Sequence, residues 1–210
     1  MSNKFEFNEE AAMETGATGG FLETGVHAGT ILACTVEVAS TGTTGMNWII
    51  QVDGQKFPTT IYGMWTHKAN GDEIFNAKTV QRLMGLNKIK KLTVKKQEID
   101  TKNGKVTVDC YAEFKNLPVV VSLQKVLDFY NGAVNEKKFE IKEFFNKKNE
   151  TYAEQVKGGE AKQFIWHSEK MQDGATTEYK KYIAEGGGDE AATESEDTSE
   201  EESEEDDGVL

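Results

Sequence analysis

The sequence has few of the residues and segments that form disulfide bonds, span a membrane or catalyse reactions. Its 210 residues include only two cysteines, Cys34 and Cys110, too few for a disulfide scaffold. Both lie in apolar alternating segments, so we expect reduced cysteines packed as small hydrophobic side chains. No apolar run approaches the roughly 18 residues that span a bilayer, and the first six residues lack the apolar segment of a signal peptide. These absences predict a soluble cytoplasmic protein without a membrane partner.

Motifs of catalysis are also missing. The chain has no Gly-rich phosphate loop with its Lys, no G-x-S-x-G elbow, and no Cys or His pair at metal-binding spacing. The histidines His27, His67 and His167 are far apart in sequence and lack companion ligands at short range. We therefore expect no enzymatic activity, no cofactor and no metal.

Negative charge is concentrated at one end of the chain. The net charge is −12, and residues 186–210 hold twelve Asp or Glu and no Lys or Arg, so residues 1–185 are neutral overall. Such a segment cannot bury enough apolar surface to offset its ordering entropy, and its charges repel one another. The sequence predicts an N-terminal arm over residues 1–24, a folded domain over 25–185, and a disordered acidic tail over 186–210.

Alternating apolar residues and turn signals predict a mainly β domain. In the first strand, Thr30, Leu32 and Cys34 are expected to share a face, and Met46, Trp48, Ile50 and Val52 do so in the second. A helix is expected over 73–86. The other predicted strands cover 57–66, 92–99, 106–114, 119–130, 138–145 and 164–166, with turns at Asp53-Gly54, Lys102-Asn103-Gly104 and Asn131-Gly132.

Three strands, a helix and two further strands are the order of the OB-fold, an antiparallel Greek-key barrel. The chain would add extra hairpins, one or two short helices and the disordered acidic tail to it. An antiparallel β-sandwich fits the same pattern, so both architectures remain open.

Positive charge collects in the middle of the chain. Residues 50–150 hold eighteen Lys or Arg against twelve Asp or Glu, and the whole chain has twenty-three lysines and one arginine. Lysine neutralises phosphate as a point charge, whereas arginine reads guanine edges bidentately. This bias favours binding to a nucleic-acid backbone without base selection. For any single lysine, a solvated surface charge is an equally good interpretation.

Aromatic side chains are interspersed with these lysines, and each base stacked on such a ring contributes roughly 1–3 kcal/mol. Trp48 is expected in the core, whereas Tyr62, Trp65 and Tyr111 are expected to face solvent or a groove rim. The candidate DNA-binding residues are Lys56, Tyr62, Trp65, Lys68, Lys88, Lys90, Lys91, Lys95, Lys96 and Tyr111.

The layout resembles that of phage-encoded single-stranded DNA-binding proteins with an OB-fold and an acidic tail. The similar features are the opening strands over 25–50, the segment Phe57-Pro58-Thr59-Thr60-Ile61-Tyr62, the helix over 76–86 and the tail over 200–210. The resemblance implies sequence-independent binding and protection of single-stranded DNA during phage DNA replication, recombination and repair, in the host cytoplasm. It also implies that the tail recruits replication or recombination proteins and competes with DNA.

By position, the partner-binding tail residues are Glu204, Glu205, Asp206, Asp207, Val209 and Leu210. Tails of the family commonly end in an aromatic residue, whereas this chain ends in Gly-Val-Leu. The alternative function is an acidic-tailed protein chaperone, or a phage structural or assembly protein, with no nucleic-acid binding. The sequence leaves the oligomeric state open, with a homo-oligomer as one option.

Overall fold

The structure is a computed structural model that describes residues 22–101 and 104–186. Most of the predicted N-terminal arm, the first two residues of the Lys102-Asn103-Gly104 turn and nearly all of the acidic tail lie outside this part. All six candidate partner-binding residues of the tail are among the residues not described.

The described chain is mainly β, as predicted, with one eight-stranded and mostly antiparallel sheet. Its strands are β1 (Gly25–Val38), β2 (Thr44–Val52), β3 (Thr59–His67), β4 (Val94–Thr101), β5 (Gly104–Tyr111), β6 (Leu117–Tyr130), β7 (Ala133–Phe145) and β8 (Gly174–Ala175). Its helices are α1 (Phe75–Leu86), α2 (Tyr152–Lys157), α3 (Lys162–Glu169) and α4 (Thr177–Ala184), and a 3-10 turn spans Ala112–Phe114.

The long strand β1 is the centre of the sheet. One edge of β1 pairs with β2, and β2 pairs with β3. The other edge pairs with β6 over Gly25–Ile31 and with β5 at Thr35, and β7 lies beyond β6. Strands β3 and β7 also contact each other. This contact between the end strands of the series β3–β2–β1–β6–β7 makes that part of the sheet barrel-like.

The core of the barrel surrounds Trp48. Its indole is fully buried, with ring centroids 5.2 Å from Phe114 and 5.7 Å from Phe144. The expected apolar face of the second strand is confirmed, because Met46, Trp48, Ile50 and Val52 are all buried. Helix α1 packs Val80 and Leu83 against the same cluster.

A bulge in β1 overturns the predicted alternation of that strand. Ile31 pairs with Ile50, but the next pair joins Ala33 to Ile49, so Leu32 is the extra residue. Because one inserted residue reverses the alternation, Ile31 and Cys34 are both fully buried. The expected grouping of Thr30 and Leu32 with Cys34 is therefore wrong.

A second bulge lies in β3. Met46 pairs with Met64, whereas Trp48 pairs with Ile61, and Gly63 within the bulge has a φ of 67°. Tyr62 is 72% exposed, as predicted, but Met64 is buried instead of sharing its exposed face. Glycine adopts a positive φ without steric cost, which explains its place at this irregularity.

The turn between β2 and β3 lies where the sequence predicts it but belongs to a longer connection. Residues 53–58 connect the two strands, and of Asp53 and Gly54 only Gly54 has a positive φ, 77°. The predicted turn at Asp53-Gly54 is confirmed by the hydrogen bond that the Gln55 N–H donates to the Val52 carbonyl at 3.1 Å, but this turn is only the first part of the connection. The other tested turn is confirmed, since Asn131 and Gly132 have φ values of 53° and 78° and join β6 to β7.

The segment predicted as a last strand, 164–166, is helical and belongs to α3. This helix packs Phe164 edge-on against Phe145, with centroids 5.4 Å apart. One turn later, His167 Nδ1 lies 2.8 Å from the Ser122 hydroxyl of β6. Side chains three residues apart project from the same side of a helix but from opposite sides of a strand. The contacts of Phe164 and His167 with one surface therefore favour the helix α3. Ser122 is fully buried, so its contact with His167 attaches α3 to β6. Its hydroxyl is not accessible to a substrate.

Candidate nucleic-acid interface

One side of the sheet can be followed across five strands, with β1 and β5 joined by a single residue pair whose Cys110 is fully buried. Lys95 on β4 pairs with Cys110 on β5, which pairs with Thr35 on β1, which pairs with Asn47 on β2. Paired residues project from the same side of a sheet, and neighbouring strands are about 4.8 Å apart. We call this side, opposite the Trp48 core, the outer face.

Trp65 occupies the β3 end of the outer face, where it pairs with Gly45 of β2. A Cβ atom added at Gly45 would lie 2.9 Å from Trp65 Cε3, and one added at Gly63 would lie 3.3 Å from Trp65 Nε1. The indole therefore lies across both glycine positions and is half-buried. The absence of side chains at Gly45 and Gly63 makes room for the indole ring. Its close contact with both backbone positions restricts its orientation.

Asn47 fixes the bulge beside this ring. Its Oδ1 accepts a hydrogen bond from the Gly63 N–H at 2.8 Å, and its Nδ2 donates to Glu37 Oε2 at 2.7 Å. A backbone amide that the bulge would leave unpaired is thereby satisfied. The Asn47 amide thus holds the local backbone that places Gly63 and Tyr62.

Two further aromatic side chains project from the same hairpin. Tyr62 is 72% exposed and Phe57, in the loop before β3, is 70% exposed. The ammonium of Lys56 lies 5.4 Å from the centroid of the Phe57 ring. Exposed rings beside a cation provide stacking surfaces and a phosphate contact within one short segment.

The candidate lysines other than Lys56 are all surface residues, but they are not on one face. Lys95 lies on the outer face, whereas its neighbour Lys96 lies on the opposite face and pairs with Asp109 at 3.4 Å. Lys88, Lys90 and Lys91 lie in the irregular segment between α1 and β4, and Lys68 follows β3. The strand predicted over 92–99 begins later than expected, since β4 starts only at Val94, so Lys90 and Lys91 are not aligned by the sheet.

Tyr111 does not face solvent as predicted. Its ring is half-buried and lies 6.4 Å from the Phe114 ring, edge to face. Burial raises the pKa of its hydroxyl. The flanking acids Asp109 and Glu113 suggested an exposed face, but the strand ends at Tyr111 and Glu113 belongs to the 3-10 turn.

Glu113 instead anchors the start of β4. Its Oε2 accepts a hydrogen bond from the Thr93 backbone N–H at 2.8 Å. This hydrogen bond lowers the pKa of the carboxyl, with Lys95 adding a smaller effect in the same direction. The position of Lys95 at the edge of the outer face is fixed in part by this contact.

Sequence reasoning missed four residues of the interface: Gly45, Asn47, Phe57 and Gly63. The isolated Gly63 inside a strand pattern was the available signal, because such a glycine indicates a bulge or a close approach. Gly45 carried no comparable signal. Its role depends on Trp65 of a neighbouring strand, which no local pattern reveals.

In residues 22–101 and 104–186, no helix is long and apolar enough to cross a membrane. No protein-family model matches the chain, and no curated protein matches it.

Proposed function

We propose that this protein binds single-stranded DNA without sequence preference on the outer face and protects it during phage replication, recombination and repair. The observation that carries the proposal is the Trp65 ring, seated on Gly45 and Gly63 beside the exposed Tyr62. The exposed Tyr62 ring beside the half-buried indole offers a surface on which bases stack without a sequence requirement.

Two lysines at the borders of the outer face suit a nucleic-acid backbone, while Glu37 of β1, in the same row of paired residues as Trp65, adds one negative charge two strands away from it. Lys56 lies on the hairpin that carries Tyr62. Lys95 lies on β4 at the far edge of the outer face, four strand spacings or about 19 Å from β3 measured along the sheet. In this proposal bases stack at the β3 edge while lysines neutralise phosphates along the face. Lysine supplies charge without base selection, which keeps binding sequence-independent.

The proposal includes an OB-type barrel. The order β1–β2–β3, helix α1, then β6–β7, together with the pairing of β6 to β1, supports it. Hairpin β4–β5 would be an insertion between the helix and the fourth barrel strand. The faces of the second and third strands bind oligonucleotides in OB-folds, and Trp65 and Tyr62 lie on the third strand here.

The acidic tail has two roles in the proposal. It recruits replication or recombination proteins, and it competes with DNA for the outer face because it is held at high effective concentration near it. The support is the segregation of charge in the sequence. We expect deletion of residues 186–210 to tighten DNA binding, most strongly at low salt. Unchanged or weaker binding would contradict competition by the tail.

The direct test is fluorescence anisotropy of labelled oligo-dT and of a matched duplex at two salt concentrations. Tyr62→Ala is expected to weaken oligo-dT binding by roughly 5- to 150-fold, the equivalent of 1–3 kcal/mol. Tyr130→Ala is the matched control, since Tyr130 is 70% exposed but lies at the tip of the β6–β7 hairpin. Equal losses in both variants would refute a specific role for the outer face.

A second variant tests the phosphate contact. Lys95→Gln should reduce the slope of log affinity against log salt by about 0.7, the value for one phosphate contact on a single strand. Lys180→Gln, an exposed lysine of α4, should leave the slope unchanged. If the tail-deleted protein binds neither oligo-dT nor duplex, the acidic chaperone and the structural or assembly protein become the better interpretations.

A further inference from the structure

Strand β4 forms an open edge of the sheet. It pairs with β5 along its whole length, and within the described residues no strand lies on its other side. Val94 is 50% exposed, and Lys95, Lys96, Glu98 and Asp100 are all exposed. An unpaired edge offers a row of backbone N–H and C=O groups to another strand.

The charges along this edge are segregated. The first half of β4 carries Lys95 and Lys96, and the second half carries Glu98 and Asp100, with Gln97 between them. Two antiparallel copies of such a strand place the basic half of one against the acidic half of the other. The edge is therefore complementary to itself in the antiparallel direction and repels itself in the parallel direction.

We propose that β4 is a self-association surface that pairs antiparallel with β4 of a second copy, about a twofold axis at Gln97. In this register Lys96 lies opposite the partner's Glu98, and Glu98 lies opposite the partner's Lys96. The contact is isologous and closes as a dimer, as a twofold interface must. The inference rests on the strand edge alone and does not depend on DNA binding.

Lysines on edge strands commonly prevent such pairing, but two features of β4 oppose that interpretation. An edge protected by lysine alone repels a second copy, whereas here the same strand supplies the acids that neutralise it. The ion pairs that these residues make inside the hairpin are also solvent-exposed. Lys96–Asp109 and Lys105–Glu98 have side chains 54–74% exposed, so they compete weakly with a partner strand.

Dimerisation would join the two outer faces. A twofold axis normal to the sheet keeps the outer faces of both copies on the same side, because paired residues in an antiparallel ladder share a side. Lys95 would then lie near the middle of a ten-stranded surface with a Trp65 ring toward each end. This arrangement makes the dimer, rather than the single chain, the unit that offers a long binding path.

The test is sedimentation equilibrium of the full chain without DNA, with two charge reversals. Lys96→Glu makes the strand acidic and Glu98→Lys makes it basic. Each variant replaces two attractive contacts with two repulsive ones, so each should weaken the dimer at least about tenfold. An equimolar mixture of the two variants should restore the dimer, because two acidic side chains at positions 96 and 98 of one chain then lie opposite two basic side chains at 98 and 96 of the other, and both contacts are attractive.

The matched control is Glu169→Lys, which makes the same charge change as Glu98→Lys at an exposed position of α3. It should dimerise like the unmodified chain, and circular dichroism should show all variants folded. A chain that is monomeric at about 100 micromolar, near the highest practical concentration, would overturn the proposal. So would a dimer insensitive to both reversals, or two weakened variants that fail to rescue each other in the mixture.

Discussion

The barrel core and the β4–β5 hairpin are built from the same kind of strand but are stabilised differently. Trp48, Phe114 and Phe144 are fully buried in the core, whereas Val94 and Val106 of the hairpin are 50% and 40% exposed. The hairpin is paired with the rest of the sheet at a single residue pair, Cys110 with Thr35. Burial dominates the stability of the core, whereas the hairpin depends mainly on its ladder hydrogen bonds, to which the exposed ion pairs add little. The hairpin surface is therefore free to serve contacts with other molecules.

The strongest test of this contrast is to remove an aromatic ring from the core and an aliphatic side chain from the hairpin. Trp48→Ala should lower the free energy of unfolding by about 3–5 kcal/mol, because a large buried ring leaves a cavity. Val106→Ala should cost about 0.5 kcal/mol or less, since the side chain is already partly solvated. Chemical denaturation measures both values. Similar costs would refute the contrast.

Trp48→Phe refines the same test. The indole Nε1 of Trp48 has no hydrogen-bond partner within the described part of the chain. A buried N–H without a partner is unfavourable, so a phenyl ring removes that cost while filling part of the space. We expect the loss for Trp48→Phe to be clearly smaller than for Trp48→Ala. Equal losses would show that the phenyl ring restores none of the packing lost with the indole.

The next largest effect is expected at the ion pair that attaches α1 to β7. Arg82 Nε lies 3.0 Å from Glu143 Oε1, and Arg82 Nη2 donates to Thr79 Oγ1 at 3.0 Å. Desolvation raises the pKa of the Glu143 carboxyl, although the Phe144 N–H and Arg82 oppose it. Arg82→Met leaves the largely buried Glu143 carboxylate without its cation. The substitution should therefore lower the free energy of unfolding by about 2–3 kcal/mol.

The double variant Arg82→Met with Glu143→Leu is the control for that measurement. It replaces both charges by apolar side chains and should recover part of the loss, because no buried charge remains without a partner. Failure to recover any stability would indicate that helix packing, and not the unpaired carboxylate, causes the loss.

A smaller effect should appear as pH dependence from the His167 tether. Burial lowers the pKa of His167, and the positive charge of Lys142 adds to this shift. Because the unfolded chain then binds a proton more readily than the folded one, stability is complete above the unfolded pKa of about 6.5 and is lost as the pH falls below it. His167→Gln should flatten the stability profile below about pH 6.5. An unchanged slope would assign it to other groups.

The smallest effect is expected at the exposed ion pairs of the hairpin. Lys105 Nζ lies 2.8 Å from Glu98 Oε1, but both side chains are more than half exposed. Lys105→Ala should change the free energy of unfolding by less than about 0.5 kcal/mol. A cost above about 1 kcal/mol in thermal or chemical denaturation would show that the hairpin depends on this pair and would narrow the contrast with the core.

The candidate site was only partly accessible to sequence reasoning. Tyr62 was correctly expected to be exposed because its neighbours were mixed in polarity, and the fully buried face around Trp48 was correctly expected from alternation. Tyr111 was placed wrongly because the acids beside it in sequence do not share its strand. Local patterns report which residues are neighbours along the chain, and they fail where a strand stops or bulges.

Alternation and turn chemistry in the sequence alone determined the mainly β content, the core face of β2, the helix α1 and the Asn131-Gly132 turn. Each depends on contacts within a few residues, and periodicity records them. Tertiary structure decided which residue of β1 is extra, that residues 164–166 form a helix, and that Trp65 lies across Gly45 and Gly63. These outcomes depend on side chains from strands distant in sequence, whose packing outweighs local preference once they meet in one core.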